Sequence, residues 1–184
     1  MISKPVIGKL AAAVAALMVS QAGMAQNALD SASLEGGFGD QVYMVRAAVQ
    51  KDWNVRWLQS NGYHLGGYWD ANLAFWHGTD YKSMHNHNQN LWVVGITPVF
   101  RYQADSKLGL YGEAGIGASV FSQLYNNASN RLSTAYEFAD HIGVGYVLEN
   151  KWDVSVRIQH YSNGGIKHPN SGVNWAVLRV ARPF

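Results

Sequence analysis

The 184-residue chain has no cysteine. If it is exported, disulfides cannot stabilise it, and stability must come from another source such as an extensive hydrogen-bonded sheet. Charge is also scarce. Fourteen Lys and Arg stand against twelve Asp and Glu, a formal net of +2, and no basic cluster stands out. Nothing here suits a nucleic-acid backbone. Beyond residue 25 no apolar run is long enough to cross a bilayer as a helix. What the chain does have is 19 Gly, 7 Trp and 10 Tyr. That is the composition of a β-rich chain with many amphipathic rings, which favour a membrane–water interface.

The first 25 residues read as an address. Lys4 and Lys9 precede and open an apolar, Ala-rich run from Leu10 to Val19, and Gly23-Met24-Ala25 places small residues at a cleavage site. The run is too short to span a bilayer, and the three parts occur in the order of a secretory signal. A buried core helix or an uncleaved anchor is the competing reading. We place the cut after Ala25, so residues 26–184 form the mature chain, a single domain by length.

Parity along the mature chain separates two faces, because alternate side chains of a strand point to opposite sides. Trp152, Val154, Val156 and Ile158 alternate with Asp153, Ser155, Arg157 and Gln159. Trp92, Val94, Ile96, Pro98, Phe100 and Tyr102 alternate with Val93, Gly95, Thr97, Val99 and Arg101. Leu108, Leu110, Ala114, Ile116, Ala118 and Val120 form a third apolar set, and Ile142, Val144, Tyr146 and Leu148 a fourth. Between Tyr63 and His77 the apolar set is Tyr63, Leu65, Trp69, Leu73 and Phe75. Ser31–Phe38 and Val42–Trp57 fit a first hairpin turning at Gly39-Asp40. With the last strand these make eight segments separated by polar turns.

At roughly 20 residues per strand and connection, eight strands are long enough to cross a membrane at barrel tilt. We expect an all-β, eight-stranded antiparallel transmembrane barrel with its apolar face to lipid. Its narrow interior would be filled by side chains, with Arg46, Asp70, Glu113 and Arg157 paired as an ion network. A soluble sandwich that buries the same apolar face is the alternative. The terminal Phe184 closing an alternating strand resembles the C-terminal signature of bacterial outer-membrane barrels. Together with the signal it implies export to the outer membrane and recognition by the assembly machinery there.

The most unusual segment is His160-Tyr161-Ser162-Asn163-Gly164-Gly165-Ile166-Lys167-His168-Pro169-Asn170. Parity puts His160 and Ser162 on the lipid face, two residues apart. An imidazole beside a hydroxyl is the base–nucleophile pair of acyl transfer. Asn163-Gly164-Gly165 can bend and present backbone N–H groups, and Asn170 adds an amide, the kind of donors an oxyanion hole needs. An interfacial His beside an incidental Ser, followed by an ordinary Asn/Gly turn, would give the same spacing.

The run H-Y-S-N-x-G-x-K-x-P-N resembles the signature of the PagL-type lipid A 3-O-deacylases. Weaker similarity extends over Gly67-Tyr68-Trp69-Asp70, Pro98-Val99-Phe100, Glu113–Gly117 and Phe138–Gly143. The resemblance implies an eight-stranded outer-membrane barrel that hydrolyses the ester-linked 3-hydroxyacyl chain at position 3 of lipid A. It implies Ser162 as nucleophile, His160 as base, and Asn163, Gly165 and Asn170 as oxyanion candidates. Lipid A of the outer leaflet is then the partner, with Lys167 and His168 near its phosphates or simply on a solvated loop. Monomer and homodimer are both open.

The departure is at position 174, where the family's acid falls on Asn174. Position and face are kept and charge is lost, and no carboxylate stands obviously ready to substitute. An Asn carbonyl can hold an imidazole, but its NH₂ can also favour the wrong tautomer. A non-catalytic barrel with a decayed site therefore competes with a working esterase. An outer-membrane acyltransferase is a third reading, which the motif order disfavours. His85-Asn86-His87 has metal-ligand spacing but lies in a polar loop without an obvious carboxylate. The esterase chemistry needs neither metal nor cofactor.

Overall fold

A computed structural model describes residues 28–184. The expected signal peptide and its cut fall outside the described residues. Eleven strands follow in chain order: β1 Ser31–Gly39, β2 Val42–Asp52, β3 Trp57–Ser60, β4 Tyr63–Gly78, β5 Gln89–Ala104, β6 Gly109–Phe121, β7 Asn126–Asn127, β8 Asn130–Arg131, β9 Tyr136–Val147, β10 Asp153–Ser162 and β11 Val173–Pro183. Eight of them close a barrel in the order β2-β1-β11-β10-β9-β6-β5-β4, with β4 returning to β2. Every pair is antiparallel. The short β3 folds back on β4, and β7–β8 form a small hairpin within the loop after β6.

Closure leaves no unpaired edge, which is the condition for a sheet to stand in hydrocarbon. The outer face is apolar as parity predicts. Ile116, Ile142, Leu110, Ile158 and Val94 are each more than half exposed, and Val154 and Val156 lie in the same band. A soluble sandwich would have buried these side chains, and a soluble surface rarely carries so large an apolar area. The loops after β4, β6 and β10 are long and gather at one end, while both described chain ends and the connections after β5 and β9 lie at the other. Short periplasmic turns and long outer loops give the barrel its orientation.

The lumen is filled in two layers. One is ionic. Arg46 pairs with Glu35 and Asp70. Arg157 reaches Glu113 at 2.6 Å, Arg101 reaches Glu113 at 2.8 Å and Asp153 at 3.0 Å, and Arg179 reaches Asp153 at 2.9 Å. The expected quartet is thus half of a balanced set of four guanidiniums and four carboxylates. Buried charges are tolerated only when so paired, since each lone ion would cost several kcal/mol. The second layer, toward the long loops, is aromatic. Trp76 packs on Trp175 and Tyr161 with ring centroids 4.5 and 4.8 Å apart, and on Phe121 at 4.9 Å. This plug stiffens the wall that carries the segment around His160, because Tyr161 and Trp175 point inward from β10 and β11.

Two local expectations need correction. The first hairpin turns on Asp40-Gln41, with Gly39 still paired to Val42. The second strand ends at Asp52 and does not run to Trp57, because Asn54 takes a left-handed φ of 56°. The chain then turns outward so that Trp53 covers Gly67, where a Cβ would lie 2.2 Å from its ring. Trp53, Trp57, Trp69 and Phe100 make one aromatic cluster on the outer wall.

Candidate active site

His160 and Ser162 stand on the outer face near the loop end of β10. Antiparallel pairing sets Asn174 of β11 directly opposite His160 on one side. It sets Asp140 of β9 opposite on the other. His160 Nδ1 lies 2.7 Å from Asn174 Oδ1. With a carbonyl as partner, Nδ1 carries the proton and Nε2 keeps its lone pair, which is the tautomer a general base requires. Gly172 makes room for this ring. Its φ is +72°, and a Cβ there would lie 2.5 Å from His160 Cε1.

Ser162 is half-buried and sits opposite Phe138. Among the described residues no hydrogen bond joins it to His160. Side chains two apart on a strand have Cα atoms roughly 7 Å apart, so the pair is adjacent on one face but not yet bonded. Catalytic contacts of this kind often tighten only around substrate.

The loop 163–172 is built around Asn163, which is fully buried. Its Nδ2 donates to the Lys167 carbonyl at 2.8 Å, and its Oδ1 accepts the Gly165 N–H at 3.0 Å. Its own N–H donates to Asn170 Oδ1 at 3.1 Å. Thus the backbone donors of Asn163 and Gly165 are already engaged. The Gly164 N–H and Asn170 Nδ2 have no protein partner among the described residues. Ser133 Oγ donates to the Lys167 carbonyl at 2.7 Å and ties this loop to the one after β6. Lys167 and His168 are exposed. Away from the site, His85 Nδ1 lies 3.8 Å from Asp80, a carboxylate that the local sequence did not bring to notice.

Asp140 is the residue sequence reasoning missed. Its parity matches Ile142 and Val144, so its outward aim was readable. Its place beside His160 was not, because register between β9 and β10 is a property of the closed sheet.

A groove of about 660 Å³ runs down the outer wall below this site, lined by Gly36, Phe38, Ile142, Val156, Ile158 and Leu178, among others. Ile158 and Ala176 pair one step below His160 and Asn174 on this face, and Val156 and Leu178 one step further. At Gly36 a Cβ would meet nothing within 4 Å, so the trough is open there.

Closure, an apolar exterior and long loops at one end define an outer-membrane β-barrel, here with an imidazole, an amide, a carboxylate and a serine on its lipid wall. Residues 42–183 match the family described as lipid A 3-O-deacylase (PagL). A lipid A deacylase PagL of Pseudomonas aeruginosa is 35% identical over 163 residues, covering 88% of this chain and 90% of that protein. One of Bordetella bronchiseptica is 30% identical over 189 residues, covering 99% and 97%. The crystal structure of the outer membrane enzyme PagL is similar with a TM-score of 0.72 at 30% identity, covering 84% of this chain and 99% of that one. The chain belongs to the lipid A 3-O-deacylase family, ester hydrolases of the bacterial outer membrane.

Proposed function

We propose that this chain hydrolyses the ester-linked 3-hydroxyacyl chain at position 3 of lipid A, with Ser162 as nucleophile and His160 as general base. The observation that carries the reading is the Nδ1–Asn174 hydrogen bond, which leaves Nε2 of His160 free to take the serine proton. Ser162 Oγ attacks the ester carbonyl and His160 accepts its proton. The imidazolium then protonates the departing sugar oxygen, and water releases the 3-hydroxy fatty acid from Ser162 by the same base. Asn170 Nδ2 and the Gly164-Gly165 turn are the donors for the oxyanion, with Asn163 shaping that turn from inside rather than touching substrate. Gly165 joins if its N–H leaves Asn163 Oδ1.

The location fits the substrate. From His160 to Val156 the groove descends roughly 14 Å, so an acyl chain lying in it keeps its ester at the rim, level with Ser162. Lys167 and His168 stand above, on the side where lipid A carries its phosphates.

Mass spectrometry of lipid A from cells expressing wild type or Ser162→Ala tests the reading. Wild type should remove one 3-hydroxyacyl chain and the variant none, with equal amounts of folded barrel in the outer membrane. Deacylation by Ser162→Ala would overturn it.

A further inference from the structure

We propose that Ser133 and Leu132, in the loop between β6 and β9, are positioning residues that clamp the 163–172 loop and so preset its oxyanion donors. The inference rests on the Ser162/His160 reading above and on the oxyanion side assigned there to Asn170 and the Gly164-Gly165 turn.

Three observations carry it. First, the site loop has little hold of its own. Residues 164–169 are exposed, Gly164, Gly165 and Gly172 have positive φ, and the side-chain bonds inside the loop converge on Asn163. Second, the loop after β6 grips it at two points. Leu132 and Asn170 form an antiparallel bridge, beside which the Ser171 N–H donates to the Arg131 carbonyl at 3.0 Å and the Arg131 N–H to Ser171 Oγ at 3.3 Å. Ser133 Oγ donates to the Lys167 carbonyl at 2.7 Å and accepts from Asn163 Nδ2 at 3.4 Å. Third, the gripping loop is itself fixed. Leu132 is buried in the same cluster as Trp76, Tyr125 and Tyr161 of the aromatic plug. At the far side the fully buried Asn127 accepts the Asp80 N–H at 2.8 Å and donates to the Gln41 carbonyl at 3.0 Å. The loop is a strut that runs from the β1–β2 turn and the β4–β5 loop to the oxyanion side.

An oxyanion donor works when it is in place before charge develops, because no reorganisation then remains for the transition state. Asn170 Oδ1 is held by the Asn163 N–H, so the aim of Nδ2 follows from where the Asn170 backbone stands, and that backbone is bridged to Leu132. The Lys167 carbonyl, shared by Ser133 Oγ and Asn163 Nδ2, closes the turn that contains Gly164 and Gly165. Releasing the Ser133 clamp leaves the loop folded on Asn163 but frees its donors to wander. A misplacement of about 1 Å is enough to cost about 10²-fold in rate. Ser133 and Leu132 act through the loop and not on the substrate.

The test compares purified, folded wild type, Ser133→Ala, Ser133→Thr, Asn170→Ala, the Ser133→Ala/Asn170→Ala double variant and Ser129→Ala on lipid A in detergent micelles. Ser129 is the control, since its Oγ lies 3.2 Å from Ser83 Oγ, on the side of the loop away from residues 163–172. Ser133→Ala should lower kcat about tenfold with KM unchanged, because the donors it aims are used only in the transition state. Ser133→Thr returns the hydroxyl and should recover the loss, and Ser129→Ala should match wild type. In the Asn170→Ala background the Ser133→Ala step should lower kcat far less than about tenfold, because a donor it positions is already gone. Wild-type kcat in Ser133→Ala, a change confined to KM, an equal loss in Ser129→Ala, no recovery in Ser133→Thr, or fully multiplicative losses in the double variant would each overturn the proposal. The parent reading fails differently. An active Ser162→Ala removes the Ser/His mechanism and a fully active Asn170→Ala removes the oxyanion assignment, whereas a slow Asn170→Ala beside a fully active Ser133→Ala removes only the strut.

Discussion

Replacing Asn174 by Glu asks how much charge the imidazole needs at its Nδ1 side. The amide oxygen already accepts the Nδ1 proton at 2.7 Å, so geometry is in place and only charge is added. A carboxylate there would lie roughly 4 Å from the centre of the imidazolium. At an effective dielectric near 20 that is worth about 4 kcal/mol, or roughly 10³ in rate. Two effects reduce it. A carboxylate against lipid loses hydration and tends toward its neutral form. Asn174 is exposed one residue into β11, so water at headgroup depth limits that loss. That same water also screens the added charge. We expect Asn174→Glu to raise kcat by about 10- to 100-fold. Asn174→Ala should lower it by about tenfold through loss of one orienting hydrogen bond. The assay is release of 3-hydroxy fatty acid from lipid A by purified protein, at saturating substrate so that kcat is read directly. No gain with Glu together with no loss with Ala would refute the reasoning and take position 174 out of the mechanism.

Two further outcomes follow from the wall itself. Val154→Arg should cost about 2–4 kcal/mol of barrel stability if that position is near mid-membrane, read from urea unfolding in bilayers; a shift near zero would mean the face is hydrated. Gly172→Ala should leave the barrel folded but lower activity strongly, because its φ of +72° strains an alanine and the new Cβ would meet His160 Cε1 at 2.5 Å. Wild-type activity in that variant would show that the ring has room to move.

Each strand carries its own face in its sequence, because a period of two is a local property. Val154 and Val156 out, and Ser155 and Arg157 in, could be read from β10 alone. The same parity set His160 and Ser162 on one wall before any partner strand was known. Partners are a different kind of information. They depend on register, and register is fixed only when the barrel closes and the inner side chains mesh. Arg46, Asp70, Glu113 and Arg157 were legible as inward charges, but the pairs they enter with Glu35, Arg101, Asp153 and Arg179 are set by register, within hairpins for Arg46–Glu35 and Arg179–Asp153 and between distant strands for Arg101–Asp153 and Arg179–Glu35. The end of β2 was illegible for the converse reason. Alternation continues in type through Trp53 and Val55, and only the left-handed turn at Asn54 and the ring over Gly67 break the strand.

Asn163 and Asp140 show the same limit at the site. A turn sequence says that the chain bends, not which of its amides is spent in bending, and Asn163 proves to be the inward pin of the loop. Asp140 had an outward parity and lay in a stretch similar to the family, yet its neighbour across β9 and β10 could be named only from the sheet. A substitution such as Glu to Asn at 174 reads as loss when judged within its own strand. On the closed wall it is one of two positions flanking the same imidazole, and the second still holds a carboxylate. What flanks His160 is therefore a property of three adjacent strands. Judging whether the site has decayed requires counting all the groups on that face rather than the one that aligns with a motif.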